Sequence, residues 1–227
     1  MFPISGGNPG HTRIDRSIDR AAIDDGDHSA AVGRLFAAGD YVYASTDSGV
    51  TWNPGAKPTG FEAIASSTDG THLLGATFSG HLDVSTDSGA TWTQRGPVLE
   101  WTAVASSSSG QNLIAVAQDG GHVYLSSDYG VTWTPRDPVH DFMSVASSAD
   151  GSNLVTAARN GFLYVSTDFG ATWAQSGSVQ NWSAVASSAD GLTLLAAVDG
   201  GYLYRSTDGG AHWGHSAIVF LVGEPTG

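Results

Sequence analysis

The sequence predicts an all-β protein, a β-propeller of five four-stranded blades. Two observations carry that prediction. The octapeptide Ser-x-Asp-x-Gly-x-Thr-Trp occurs at 45–52, 85–92, 126–133, 166–173 and 206–213, with His212 in the Thr slot of the last copy. Its tryptophans, Trp52, Trp92, Trp133, Trp173 and Trp213, return every 40 or 41 residues. A fixed period of this length is the mark of a repeat fold. Between copies, short apolar runs alternate with turn signals, which is the pattern of one blade of four strands, A to D.

Residues 1–33 do not fit the repeat and read as a disordered or loosely docked extension. The propeller is assigned to 34–227. The first repeat, 34–60, enters late. Residues 35–38 match strand B, residues 41–45 match strand C, and Trp52 opens strand D. Strand A is missing or survives only as residues 30–32. Full repeats follow at 61–100, 101–141, 142–181 and 182–216. In the last of these, 182–188 is strand A and Ala189-Asp190-Gly191 a turn. Residues 192–198 form strand B, and Tyr202-Leu203-Tyr204-Arg205-Ser206 alternates as strand C. A spare apolar run, 217–222, lies past the last Trp. The expectation is that it supplies strand A of the first blade and closes the ring, removing open sheet edges. A monomer is expected, with completion by oligomerisation as the alternative.

The octapeptide has a mechanical reading. Its Asp carboxylate accepts hydrogen bonds from its own turn. Its Gly tolerates a positive φ, its Thr restarts extended structure, and its Trp covers the hairpin. Asp47, Asp87, Asp128, Asp168 and Asp208 are therefore structural residues.

These copies resemble the Asp-box family, also called bacterial neuraminidase repeats, over about residues 34–213. The resemblance implies a β-propeller, and the family includes sialidases, sortilin-type receptor domains and photosystem II assembly factors. It does not imply one function, because sites are grafted on folds. Five blades are fewer than is usual in the family. A sialidase would bring three arginines, a Tyr–Glu nucleophile pair, an acid Asp and a Phe/Tyr-Arg-Ile-Pro segment. No such segment exists, and only three Glu occur, at 62, 100 and 224. The tyrosines at 41, 43, 124, 164, 202 and 204 mostly fill a repeated strand C slot and read as core.

The net charge of −13 argues against nucleic acid and anionic membranes as partners, since both need a basic patch. No Cys is present, so no disulfide forms. No long apolar run predicts membrane insertion. No signal peptide is visible, although family resemblance suggests a secreted or cell-surface protein. No metal or cofactor is expected. His212 and His215 point to opposite faces of a strand, and His81 and His122 share a turn-edge slot.

A ligand site is expected where repeats differ. A–B and C–D turns share one face and are near-identical. B–C and D–A loops share the other and vary. The D–A loops are read as 53–60, 93–100, 134–141 and 174–181. The ligand-binding candidates on that face are Arg95, Glu100, Asp119, Arg136, Asp137, His140, Asp141, Arg159, Asn160 and Asp199. Arginines there can clamp a carboxylate, and the plainer reading is solvated loop charge. The predicted function is a non-catalytic module that binds a protein or glycan. The alternatives are a degenerate, sialidase-like glycoside hydrolase and a propeller fragment without independent function.

Overall fold

The computed structural model describes residues 34–38, 41–58, 60–118 and 121–216. These form five antiparallel sheets, four of four strands and one of three. The first blade holds β1 (Leu35–Ala37), β2 (Tyr41–Ser45) and β3 (Asn53–Pro58). The second holds β4 (Phe61–Ser66), β5 (Leu73–Thr77), β6 (Gly80–Ser85) and β7 (Thr93–Leu99). The third holds β8 (Trp101–Ser106), β9 (Leu113–Ala117), β10 (His122–Ser126) and β11 (Thr134–Val139). The fourth holds β12 (Phe142–Ser147), β13 (Leu154–Ala158), β14 (Gly161–Ser166) and β15 (Ala174–Gln180). The fifth holds β16 (Trp182–Ser187), β17 (Leu194–Val198), β18 (Leu203–Ser206) and β19 (Gly214–Ser216). Each sheet is a plain meander, and the first strands of successive full blades lie against one another. This is the five-bladed propeller arrangement the period predicts. The first sheet has no strand A among the described residues. Both candidates for it, 30–32 and 217–222, lie outside them, as does the extension 1–33.

One expectation is corrected. The segments read as D–A loops are largely strand: β3, β7, β11 and β15 run through them. The connection to the next blade shrinks to Glu100 between β7 and β8, and to Asn181 between β15 and β16. Pro97, Pro138 and the polar residues of these segments are unusual in a strand interior. They are tolerated because the fourth strand is an outer edge strand, where a missing N–H costs no ladder bond. Glycine bulges finish the job, with Gly96 and Gly177 at φ +67° and +70° where the register slips.

The octapeptide turn is built as its chemistry demands. In the first copy the Ser45 hydroxyl donates to Asp47 Oδ1 at 2.8 Å and accepts from the Gly49 amide at 2.8 Å. The Thr51 amide and hydroxyl donate to Oδ1 and Oδ2 at 2.8 and 2.6 Å. The pattern repeats in every copy, and His212 takes the Thr place with its amide and Nδ1, at 2.9 and 2.7 Å. The residue before the Gly is also left-handed: Ser48, Ser88, Tyr129 and Phe169 have φ of 58–62°. The carboxylate network outweighs the strain of a non-glycine residue there.

The core lies between blades. Each full blade opens on an aromatic, Phe61, Trp101, Phe142 or Trp182, that is wedged against the preceding blade. Trp101 meets Tyr124 edge-on at 5.1 Å, and Trp182 meets Tyr204 the same way at 5.1 Å, a favoured geometry for such pairs. The A–B turns add a stitch. The Thr68 amide donates to Ser108 O, Ser108 to Ala149 O, and Ala149 to Ala189 O, at 2.7–2.9 Å. Four consecutive blades are thus tied by one run of backbone bonds along the inner rim.

Candidate functional site

The meander fixes two ends for every blade. At one end lie the A–B and octapeptide turns. At the other lie the B–C turns and the D–A links. Glu100, Asp137, His140, Asp141, Arg159, Asn160 and Asp199 all fall at the second end. Asp119 lies outside the described residues.

The D–A links are held by a repeated backbone clamp. The amides of Gln118, Arg159 and Asp199 donate to the carbonyls of Glu100, Asp141 and Asn181 at 2.8–3.0 Å. Side chains reinforce it in two blades. Gln118 Nε2 donates to Glu100 Oε2 at 2.8 Å, and Asn181 Nδ2 to Asp199 Oδ2 at 3.4 Å. Part of the polar character of this end therefore serves to pin the links. The remainder is presented to solvent, with Asp137, His140, Asp141, Arg159 and Asn160 exposed. Asn160 sits at φ +50°, in the tight turn between β13 and β14.

At the junction of the third and fourth blades this end carries rings. The His140 imidazole stacks on Tyr164 with centroids 4.9 Å apart, and its Nε2 is hydrogen-bonded to the Tyr164 hydroxyl. His122 Nδ1 lies 3.9 Å from the Asp137 carboxylate. The result is a partly solvated patch of imidazole, phenol and carboxylate with Arg159 and Asn160 in the neighbouring turn. Hydrogen bonding, stacking and ion pairing with a ligand are all within its chemistry.

Arg95 and Arg136 do not join this patch. Both stand in mid-strand, on β7 and β11, paired across the ladder with Leu82 and Val123. Both are therefore set on a strand rather than on the connecting links. A convergence of Arg95, Arg136 and Arg159 on one carboxylate clamp is not what the structure builds. Arg136 instead lines a cleft of about 250 Å³ between the third and fourth blades, with Ser126, Thr132, Asp168 and Phe169. This cleft adjoins the octapeptide turns, the end that the sequence marked as uniform scaffold. The signal for it was available in the variable slot before the turn Gly, where Phe169 is an exposed aromatic.

The turn carboxylates are held in their ionised form. The Thr51 hydroxyl and amide, with the Ser45 hydroxyl, lower the Asp47 carboxyl to about 2. The His212 amide and ring lower Asp208 to about 2. Asp69, Asp87, Asp128, Asp150, Asp168 and Asp190 are all shifted downward as well. A general acid needs the opposite shift. Among the described residues no group of three metal-ligating side chains forms, and no helix is long and apolar enough to cross a membrane.

No family model and no curated protein matches the chain. Its fold is similar to that of solved β-propellers. The GH74 enzyme of Niastella koreensis is 25% identical with a TM-score of 0.65, over 79% of this chain and 29% of that one. The GH74 xyloglucanase of Xanthomonas campestris is 20% identical with a TM-score of 0.61, over 82% and 36%. YCF48 bound to a D1 peptide is 16% identical with a TM-score of 0.57, over 80% and 62%. The chain thus spans about a third of either GH74 protein. YCF48 from Cyanidioschyzon merolae, 18% identical with a TM-score of 0.53, is covered over 85% of its length.

Proposed function

We propose that this chain is a non-catalytic interaction module of the Asp-box type. It binds a protein or glycan through the end that bears the B–C turns and D–A links, centred on Asp137, His140, Asp141, Arg159 and Asn160. The observation that carries this reading is the contrast between the two ends. The octapeptide turns are near-copies locked by the same carboxylate network. The opposite end differs from blade to blade and exposes polar and ring-bearing side chains at one junction. A propeller similar to this one, YCF48, is bound to a peptide, which supports a protein ligand.

The test is a glycan array and a peptide array, each probed with the wild-type chain and with the double variant His140→Ala/Arg159→Ala. The expected result is a ligand on one array whose binding falls at least tenfold in the double variant and not in Arg136→Ala. Equal binding by wild type and double variant would overturn the assignment of this end.

The similarity to GH74 proteins favours a second reading, a degenerate glycoside hydrolase. Incubation with xyloglucan separates the two. New reducing ends formed by the wild-type chain would favour the hydrolase, and binding without cleavage the module.

A further inference from the structure

The described sheets repeat a single interface, and among the described residues the first and fifth sheets each leave one half of it uncovered. In the second, third and fourth blades, the second residue of strand B and the strand C residue paired with its fourth face the following blade. They are sealed: Leu74, Ile114 and Val155 are 0%, 1% and 0% exposed, and Leu82, Val123 and Leu163 are all 0% exposed. The fifth blade keeps the same chemistry in these slots, Leu195 and Leu203, yet they are 37% and 42% exposed. Ala184 is exposed as well, where Ala63 and Ala103 of the same slot are buried. At the other end, Trp92, Trp133, Trp173 and Trp213 pack against the blade before them. Trp52, in the same slot of the first blade, is 39% exposed.

We propose that these two faces are the halves of one interface, and that the occupant of each is a second copy of this chain, joined head to tail. Trp52 of one copy covers Leu195 and Leu203 of the other, as Trp133 and Trp213 pack on the blade before them, so the contact repeats the part of the internal interface that the octapeptide Trp makes. Such a contact is heterologous, so copies add in one direction until a ring closes.

Charge supports the pairing. The strand C residue paired with the second of strand B, which is Val84, Leu125 or Val165 in the middle blades, abuts the turn Gly of the following blade, at Gly130, Gly170 and Gly210 respectively. In the fifth blade this slot holds Arg205, which is exposed. In the joined state Arg205 meets the first turn, which carries the Asp47 carboxylate and the Trp52 ring. A cation fits there through opposite charge and through the ring face, in a chain whose net charge is −13.

Sedimentation velocity over a micromolar concentration series tests this, using the full chain. Wild type is expected to sediment as more than one copy. Leu203→Glu and Trp52→Glu each replace an exposed side chain, so circular dichroism should stay unchanged while self-association weakens at least tenfold. Each variant retains the other half-interface intact. Mixing them should therefore restore a one-to-one pair that neither forms alone. Wild type that stays monomeric throughout the series would overturn the proposal, because the faces would then be covered by the chain's own terminal segments or by another protein. Failure of the mixture to pair would overturn it equally.

Discussion

Replacing Asp128 with Ala tests whether the octapeptide carboxylates are structural. Asp128 Oδ1 accepts from the Thr132 amide at 2.9 Å and from the Ser126 hydroxyl at 2.7 Å, and Oδ2 accepts from the Thr132 hydroxyl at 2.6 Å. Burial pushes this carboxyl upward, and the Thr132 and Ser126 bonds outweigh it and hold it below the ordinary value. Three bonds at about 1 kcal/mol each give about 3 kcal/mol, and partial solvation of the turn reduces this to about 2 kcal/mol. Tyr129, at φ +62°, then loses the network that offsets its strain. For a domain of this size each kcal/mol is about 2–4 °C in Tm, so Asp128→Ala should melt about 4–8 °C lower. Asp128→Asn keeps an acceptor at Oδ1 and should lose about half as much. The assay is differential scanning calorimetry, with array binding measured in parallel. An unchanged melting temperature, or lost binding without lost stability, would refute the structural assignment.

The remaining predictions concern acid, one hydroxyl, one glycine and one serine. The folded pKa of each turn Asp is depressed, so the stability it contributes is present above the unfolded value, 3.8, and is lost as pH falls through the folded value, about 2 for Asp47 and Asp208. Melting temperature should therefore fall steeply between about pH 4 and pH 2 and should plateau above it. Thr156 is fully buried and its hydroxyl has no partner, so Thr156→Val should raise stability by about 1 kcal/mol in urea titration. A Cβ at Gly75 would lie 2.3 Å from the Phe61 ring, and Gly75→Ala should cost about 1–3 kcal/mol. Ser176 holds the Trp213 indole at 2.7 Å and donates to Gly210 O, yet Trp133 and Trp173 reach their own turn carbonyls directly at 3.0 and 3.1 Å. Ser176→Ala should therefore cost under about 1 kcal/mol, with Trp213 turning to Gly210.

The propeller was legible because its signal is redundant. Five copies of one turn reinforce each other, and errors in a single strand do not disturb the period. The strand D boundaries were misread for a reason that is also physical. Pro97, Gly96, Pro138 and Gly177 are loop formers on any local scale. An edge strand exempts them, because only one side of it is hydrogen-bonded. The inner-rim stitch from Thr68 to Ala189 runs backbone to backbone, so no residue type announces it. The wedge made by Phe61, Trp101, Phe142 and Trp182 was in principle readable, since the four share one repeat slot.

The candidate site divides along the same line. Glu100, Asp137, His140, Asp141, Arg159, Asn160 and Asp199 reach the expected end because a meander fixes which turns share an end, and that follows from strand order alone. Arg95 and Arg136 do not, because their placement depends on where a strand stops, the quantity sequence reads least well. Two residues in equivalent slots can also have unlike surroundings. Leu163 and Leu203 are the same residue at the same step of the repeat, and one is fully buried while the other is 42% exposed. The local pattern fixes the direction in which each points, and only the presence of a neighbour decides whether that direction is core or surface. An apolar slot that is solvent-exposed in one repeat and sealed in three others is therefore evidence about what lies beside the chain, which is why the fifth blade carries the inference about a second copy.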